Sequence, residues 1–286
     1  LIEVEKMENF KSVGDLRKRD FKYDGGFKIE QITSTSGQKL SYFINKTMLR
    51  IDLAKPLLPG QSISFQIKWW YNINDRMQVG GRSGYEYFET DQNYLYTIAQ
   101  FFPRMCVYND VTGWQNKQFL GRGEFTLPFG DYEVSLTVPA DHIVAATGEC
   151  QNYASILTPE QRKRYEQAKK SNSPVLIVTQ AEAEAAEKNK STQTKTWVYK
   201  AQNVRDFAFA TSRKFIWDAQ NQTVGSKNVL CMSYYPKEGN PLWERYSTKL
   251  VAHTIKTYSK YTIDYPYPVA ISVHSKWIGM EYPMIC

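Results

Sequence analysis

Glu281 is a carboxylate set in an otherwise apolar stretch, with Ile278, Met280, Tyr282 and Met284 around it. A charge there is costly unless it has a partner. Two partners fit: a basic side chain beside an edge strand, or a cationic ligand. A carboxylate in a semi-enclosed site takes an ammonium through charge-assisted hydrogen bonds. The stretch therefore offers either a structural ion pair or a site for a cationic group. Other reactive arrangements are missing from the sequence. It has three histidines, His142, His253 and His274. A catalytic zinc takes three protein ligands and one open position, and no two of these histidines have the HExxH spacing. They read as structural or surface histidines, so no catalytic and no metal residue is expected in this chain. No G-x-S-x-G signature marks a nucleophile. Gly80-Gly81-Arg82-Ser83-Gly84 lacks the lysine of a phosphate loop and reads as a turn.

The elements that must position Glu281 follow from pattern. Leu40–Ile44 and Met48–Leu53 read as strands, with a turn at Lys55–Gly60. Ser62–Trp69 and Tyr132–Val138 alternate apolar and polar, the period of a half-buried strand. Strands at short spacing with Gly and Pro turns suggest an antiparallel sandwich. Thr158-Pro159-Glu160-Gln161 is a helix start, with Thr as N-cap, Pro at the first position and Gln closing a capping box. That helix should run to about Lys170. Val175–Val178 reads as a strand and Ala181–Glu187 as a second, exposed helix. The region 158–190 is expected to be a helical insertion in the first domain. A second domain is expected from residue 204, so the division is 1–203 and 204–286. Val204–Ser212 reads as a short helix, and Val229–Tyr235 as a strand. Leu242–Tyr261 is the clearest helix, with Trp243, Tyr246, Leu250, Thr254, Tyr258 and Tyr261 at three- and four-residue spacing. Ala270–Val273 and Met280–Ile285 read as sheet strands.

Composition excludes more than it selects. The chain has 286 residues, enough for about two domains. The net charge of +7 is scattered rather than striped, which argues against nucleic acid. Lys163, Arg164, Lys169 and Lys170 mix with Glu160 and Glu166 on one solvated helix face. No run of roughly 18 apolar residues predicts a membrane span. The cysteines Cys106, Cys150, Cys231 and Cys286 form no CxxC pair, so neither a zinc ribbon nor a thioredoxin-type redox site is implied. They are too sparse for a disulfide scaffold, which leaves the compartment open between cytoplasm and cell envelope or periplasm. The 20 Tyr and 7 Trp suit β core and cross-strand pairs, or a surface that stacks on sugars or peptides.

Ile278-Gly279-Met280-Glu281-Tyr282 resembles the G-x-M-E-N exopeptidase motif of the aminopeptidase N family of zinc metallo-aminopeptidases, the gluzincins. Thr97–Pro103 resembles the strand and turn that supply a Gln or Glu to the same amine site. Asp131–Val134, with Pro139 and Ala146–Glu149, is similar to a family hairpin. Val204–Ala210 is similar to the segment that opens the catalytic domain. The resemblance implies an N-terminal β-sandwich or saddle domain, followed by the opening sheet and helix of a thermolysin-like catalytic domain. Mainly β with an α+β C-terminal part is thus the expected fold class. It also implies Glu281 and Gln100 as amine anchors, with Gly279, Met280 and Tyr282 shaping the first subsite of a peptide with a free N-terminus. Zinc is implied for the intact protein, on an HExxH helix that would follow Cys286, so the chain reads as a fragment inactive by itself. The sequence departs from the motif at Ile278, where the family has Gly, and at Tyr282, where it has Asn. The alternative is a peptidase-like scaffold that binds protein or glycan. A carbohydrate-binding sandwich ranks below it, because it leaves residues 204–286 without an explanation.

Overall fold

The computed structural model describes residues 23–118, 127–276 and 280–286. The contacts divide the chain into two compact units: 1–74 with 102–128, and 75–101 with 129–286.

The first unit is built of antiparallel pairs. Its main strands are β1 (Lys28–Ser34), β2 (Ser41–Asn45), β3 (Met48–Asp52) and β4 (Phe65–Trp70). β1 pairs with β4, and β2 with β3. β4 alternates as its sequence predicts: Phe65, Ile67 and Trp69 are half-buried, while Gln66, Lys68 and Trp70 face water. β2 turns into β3 through Lys46, whose φ is +55°. Gln118 braces that turn, accepting from Thr47 N–H at 2.9 Å and donating to the Asn45 carbonyl at 3.0 Å.

The second unit opens with β5 (Gly84–Phe88) and β6 (Asn93–Ile98). The short pair β7 (Tyr108–Asn109) and β8 (Gly113–Trp114) returns to the first unit. The second unit then continues with β9 (Gly130–Pro139), β10 (Ile143–Ala146), β11 (Glu149–Cys150), β12 (Val175–Val178), β13 (Thr194–Val204), β14 (Phe209–Ser212), β15 (Ile216–Val224), β16 (Lys227–Tyr235) and β17 (Val269–Val273). They form three sheets, in orders β10-β14-β6-β5, β11-β13-β9 and β12-β15-β16-β17. All pairings in them are antiparallel except β16 with β17. A parallel pair needs a crossover, and the helix Leu242–Tyr261 supplies it.

Aromatic side chains fill this unit's core. Trp197, Trp217, Tyr199, Tyr234, Tyr235 and Phe207 are among its largest fully buried groups. Trp217 stacks on Tyr234 at 5.2 Å. Tyr199 Oη donates to the Val144 carbonyl at 2.8 Å, so its polar end is satisfied. Gly148 is required where it stands. Its φ is +91°, and a Cβ there would come within 2.2 Å of the Lys200 carbonyl oxygen.

The helix signals hold. Thr158 caps Pro159–Ala168 through a capping box with Gln161, and Thr179 caps Gln180–Asn189 through one with Glu182. Arg164 joins the two helices by a bidentate pair to Glu182, at 2.8 and 2.7 Å. Between them β12 adds an edge strand beside β15.

Three expectations change. Phe209–Ser212 is a strand, not helix, because β10 and β6 bond it on both sides. A short apolar run does not distinguish the two states, and tertiary pairing decides. Met280–Ile285 is no regular strand. Ile285 N–H bonds the Tyr282 carbonyl at 3.2 Å, closing a turn with Pro283 second and Met284 third at φ +66°. The chain then pairs with β17: Ile271 N–H donates to the Met284 carbonyl at 2.8 Å, and Val273 N–H to the Cys286 carbonyl at 2.8 Å. Lastly, Leu242–Tyr261 is helical as expected, but its buried face is another one. Thr248 and Ala252 are buried, with Val251 and Ile255 packed beside them, whereas Tyr246, Leu250, Tyr258 and Tyr261 are exposed. Among the described residues no helix is long and apolar enough to cross a membrane.

Candidate functional site

Gln100 stands two residues after the end of β6 and has φ +52°, a left-handed conformation uncommon outside glycine. It is half-buried. Ala99 N–H, one residue earlier, donates to Ser83 Oγ at 3.1 Å. Phe101, one residue later, packs edge-on against Phe209 at 5.2 Å. The Gln100 backbone is therefore held from both sides. Glu281 is exposed at the start of the tail, between half-buried Met280 and Tyr282. Burial first, and then the Glu281 charge, push the Cys286 thiol above its ordinary pKa. Gly279 and Ile278 lie outside the described residues.

Two cavities adjoin this tail. One, of about 440 Å³, is lined by Met280 together with Arg76, Thr97, Ala210, Val273 and Ser275. Thr97 stands three residues before Gln100 on β6, so Met280 and the strand leading to Gln100 share one cavity. The other is an apolar groove of about 750 Å³ between the long helix and the tail, walled by Leu242, Tyr246, Leu250, Tyr265, Tyr282 and Ile285. Tyr282 thus faces the apolar groove while Met280 faces the more polar cavity. Neither Gln100 nor Glu281 lines these two cavities.

The histidines are placed apart. His142 is buried, with Nδ1 at 3.1 Å from Thr211 Oγ1, and burial with nearby Arg213 lowers its pKa to about 4. His253 is exposed on the long helix, facing Thr257 at 3.4 Å. His274 packs edge-on to Trp243 at 4.8 Å. Among the described residues no group of three His, Cys, Asp or Glu side chains could hold a metal ion. The donor set for a zinc ion does not fit these residues.

Sequence reasoning passed over a buried ion pair beside the tail. Arg76 and Glu86 are buried, 3.6 Å apart. Arg76 also donates to the Thr97 hydroxyl, and Glu86 accepts the Lys276 backbone N–H. In Gly84-Tyr85-Glu86-Tyr87-Phe88 two tyrosines flank Glu86, so sequence alternation alone assigns it to the solvent side, whereas the structure places it on the buried phase. A charge on that phase demands a partner.

No protein-family model and no curated protein matches the sequence. Solved structures match in fold. The chain is similar to an M1 zinc metallopeptidase from Deinococcus radiodurans, at 13% identity and TM-score 0.53, over 90% of this chain and 48% of that one. A point mutant of the M1 zinc metallopeptidase from that organism gives 13% identity and TM-score 0.51, over 87% and 46%. The mutant bound to a Tyr-Ser-Ala substrate gives 12% and 0.51, over 89% and 48%. The chain spans about half the length of these neighbours. At such identity the likeness is one of fold, and the mainly β architecture with its α+β C-terminal part matches it.

Proposed function

We propose that this chain is the amine-recognising part of a zinc-dependent aminopeptidase that removes N-terminal residues from peptides. The fold likeness to M1 zinc metallopeptidases over 90% of the chain carries the proposal. The Met280-Glu281-Tyr282 stretch supports it, because it follows the last sheet strand in the order that the sequence resemblance requires. In this reading the Glu281 carboxylate accepts the substrate ammonium. A single carboxylate gives charge but little direction, and the Gln100 side-chain carbonyl supplies the second acceptor that orients the amine. Gly279, Met280 and Tyr282 shape the first subsite, with Tyr282 offering a phenol and an apolar wall. Zinc in the intact protein belongs to the proposal too, and the described residues of this chain give it no ligand set.

The test uses the intact parent protein with an aminoacyl-anilide and its N-acetylated form. The free amine should be cleaved and the acetylated form spared. Glu281→Ala should cut turnover by about 100-fold, and Gln100→Ala by less, since it removes no charge. The chain of 286 residues alone should neither retain zinc through dialysis nor cleave the anilide. Stoichiometric zinc with activity in that chain would refute its inactivity. A parent protein that binds peptide or glycan with no hydrolysis would replace the enzyme with a scaffold.

A further inference from the structure

Glu86 and Lys276 are 190 residues apart in sequence, yet both Glu86 oxygens lie within bonding distance of the Lys276 backbone N–H, at 3.0 and 3.1 Å. A side chain, not a backbone carbonyl, thus satisfies this donor. Two elements place the acceptor. The strand period of β5 turns Glu86 inward, where it is only 4% exposed. Opposite stands Arg76, on a single helical turn that Asp75 caps by accepting Met77 N–H at 2.8 Å. Gly80, at φ +80°, ends the turn. One Arg76 nitrogen, Nη1, lies 3.6 Å from the Glu86 carboxylate and also donates to the Thr97 hydroxyl. Thr97 lies on β6, which ends at Ile98, two residues before Gln100.

The tail is tied on its far side as well, where Met284 and Cys286 bond to Ile271 and Val273 of β17. Met280 and Glu281 therefore sit between two anchored points. A buried ion pair is weak support for stability, since apolar replacements of similar volume are often neutral or better. An apolar pair could not, however, accept the Lys276 N–H, and would leave that donor unsatisfied.

We propose that the buried Arg76–Glu86 pair is the positioning device of the amine anchor. Arg76 fixes the Glu86 carboxylate and ties it to β6. Glu86 holds the backbone at Lys276, four residues before Met280, and Met280 lines the same cavity as Arg76 and Thr97 of β6. Neither residue touches the amine. The proposal rests on the amine-anchor reading of Glu281 and deepens it.

Two double variants separate positioning from bulk packing. Arg76→Met with Glu86→Leu removes both charges and the acceptor. Arg76→Met with Glu86→Gln removes both charges but keeps a carbonyl for the Lys276 N–H. Both are made in this chain and followed by amide hydrogen exchange, by the NMR shifts of Met280 and Glu281, and by titration with a free-amine dipeptide amide against its N-acetylated form. The Leu variant should speed exchange at Lys276 about tenfold or more, move the Met280 and Glu281 resonances, and weaken probe binding about tenfold. The Gln variant should recover most of each. Unchanged exchange, shifts and affinity in the Leu variant would overturn the proposal, as would equal losses in both variants. If the wild-type chain does not distinguish the free amine from the acetylated probe, the amine-anchor reading fails. Positioning is then decided by exchange and shifts alone, and unmoved Met280 and Glu281 resonances end it.

Discussion

Tyr235 donates a hydrogen bond of 2.6 Å to Asp218, a carboxyl only 1% exposed beneath the long helix. Thr248 of that helix donates to the other oxygen. Burial pushes the Asp218 pKa up to about 6, against the opposing pull of the Thr248 and Tyr235 hydrogen bonds. The sign follows from linkage. A carboxyl raised on folding contributes stability that is full below its unfolded pKa of 3.8 and gone as pH rises through about 6. His142 has the opposite sign. Its pKa falls from 6.5 to about 4, so its contribution is present above 6.5 and lost as pH falls through about 4. Each is worth about 3 kcal/mol at most. The two slopes cancel between roughly pH 4 and 6. Asp218→Asn should make stability rise with pH across that window, and His142→Gln should make it fall. Urea midpoints at several pH values check this. Variants that share the wild-type slope would refute the assignment.

Lys214 is a second buried charge, wholly shielded from solvent and within 2.9 Å of Glu187 and 3.0 Å of Glu238. It also pairs with Asp91, and its ammonium lies 4.5 Å from the centre of the Phe88 ring. Burial would lower its pKa, but the hydrogen bonds to Asp91, Glu187 and Glu238 outweigh burial and raise it. Lys214→Met removes the central cation and leaves Lys237 to pair with Asp91 and Glu187. The cost should be about 3–5 kcal/mol, read as a lower denaturation midpoint. A loss below about 1 kcal/mol would show that the pairing does not hold these elements together.

The division into 1–203 and 204–286, with 158–190 as a helical insertion, is a proposal that proteolysis can test. Ser171–Pro174 and Lys188–Thr194 join well-capped elements and are mostly exposed. Exposed connections are the usual nicking sites. First cuts should fall in those two stretches. First cuts within 125–140 would count against the layout.

Much of the fold was legible because local signals and tertiary contacts agreed. The Thr158 capping box, the alternation of β4 and the span of the long helix all follow from residue type and spacing; the Thr179 capping box is added by the structure. β15 was not legible. Ile216–Val224 buries Asp218 and Gln220 on a strand whose composition looks polar. The partners of Asp218, Tyr235 and Thr248, lie 17 and 30 residues away, so no local period reveals why it is buried. The exposed face of the long helix misled for a related reason. Its aromatic residues have helical spacing, but small Thr248 and Ala252 let the helix approach the sheet. Of the candidate site, the Glu281 stretch was visible as a charge among apolar residues. The Arg76–Glu86 brace was not, because its third member, Lys276, contributes only a backbone N–H.

The hydrogen bonds from the tail to β17 also guard against aggregation. β17 is the outer strand of its sheet, and such strands offer unpaired donors and acceptors on which other chains can nucleate. Met284 and Cys286 occupy those groups at Ile271 and Val273. Pro283 cannot donate to a ladder, and Met284 turns the backbone out of the strand conformation. The 284–286 segment therefore covers the β17 edge at Ile271 and Val273. Its detachment would expose an apolar β17 to self-pairing.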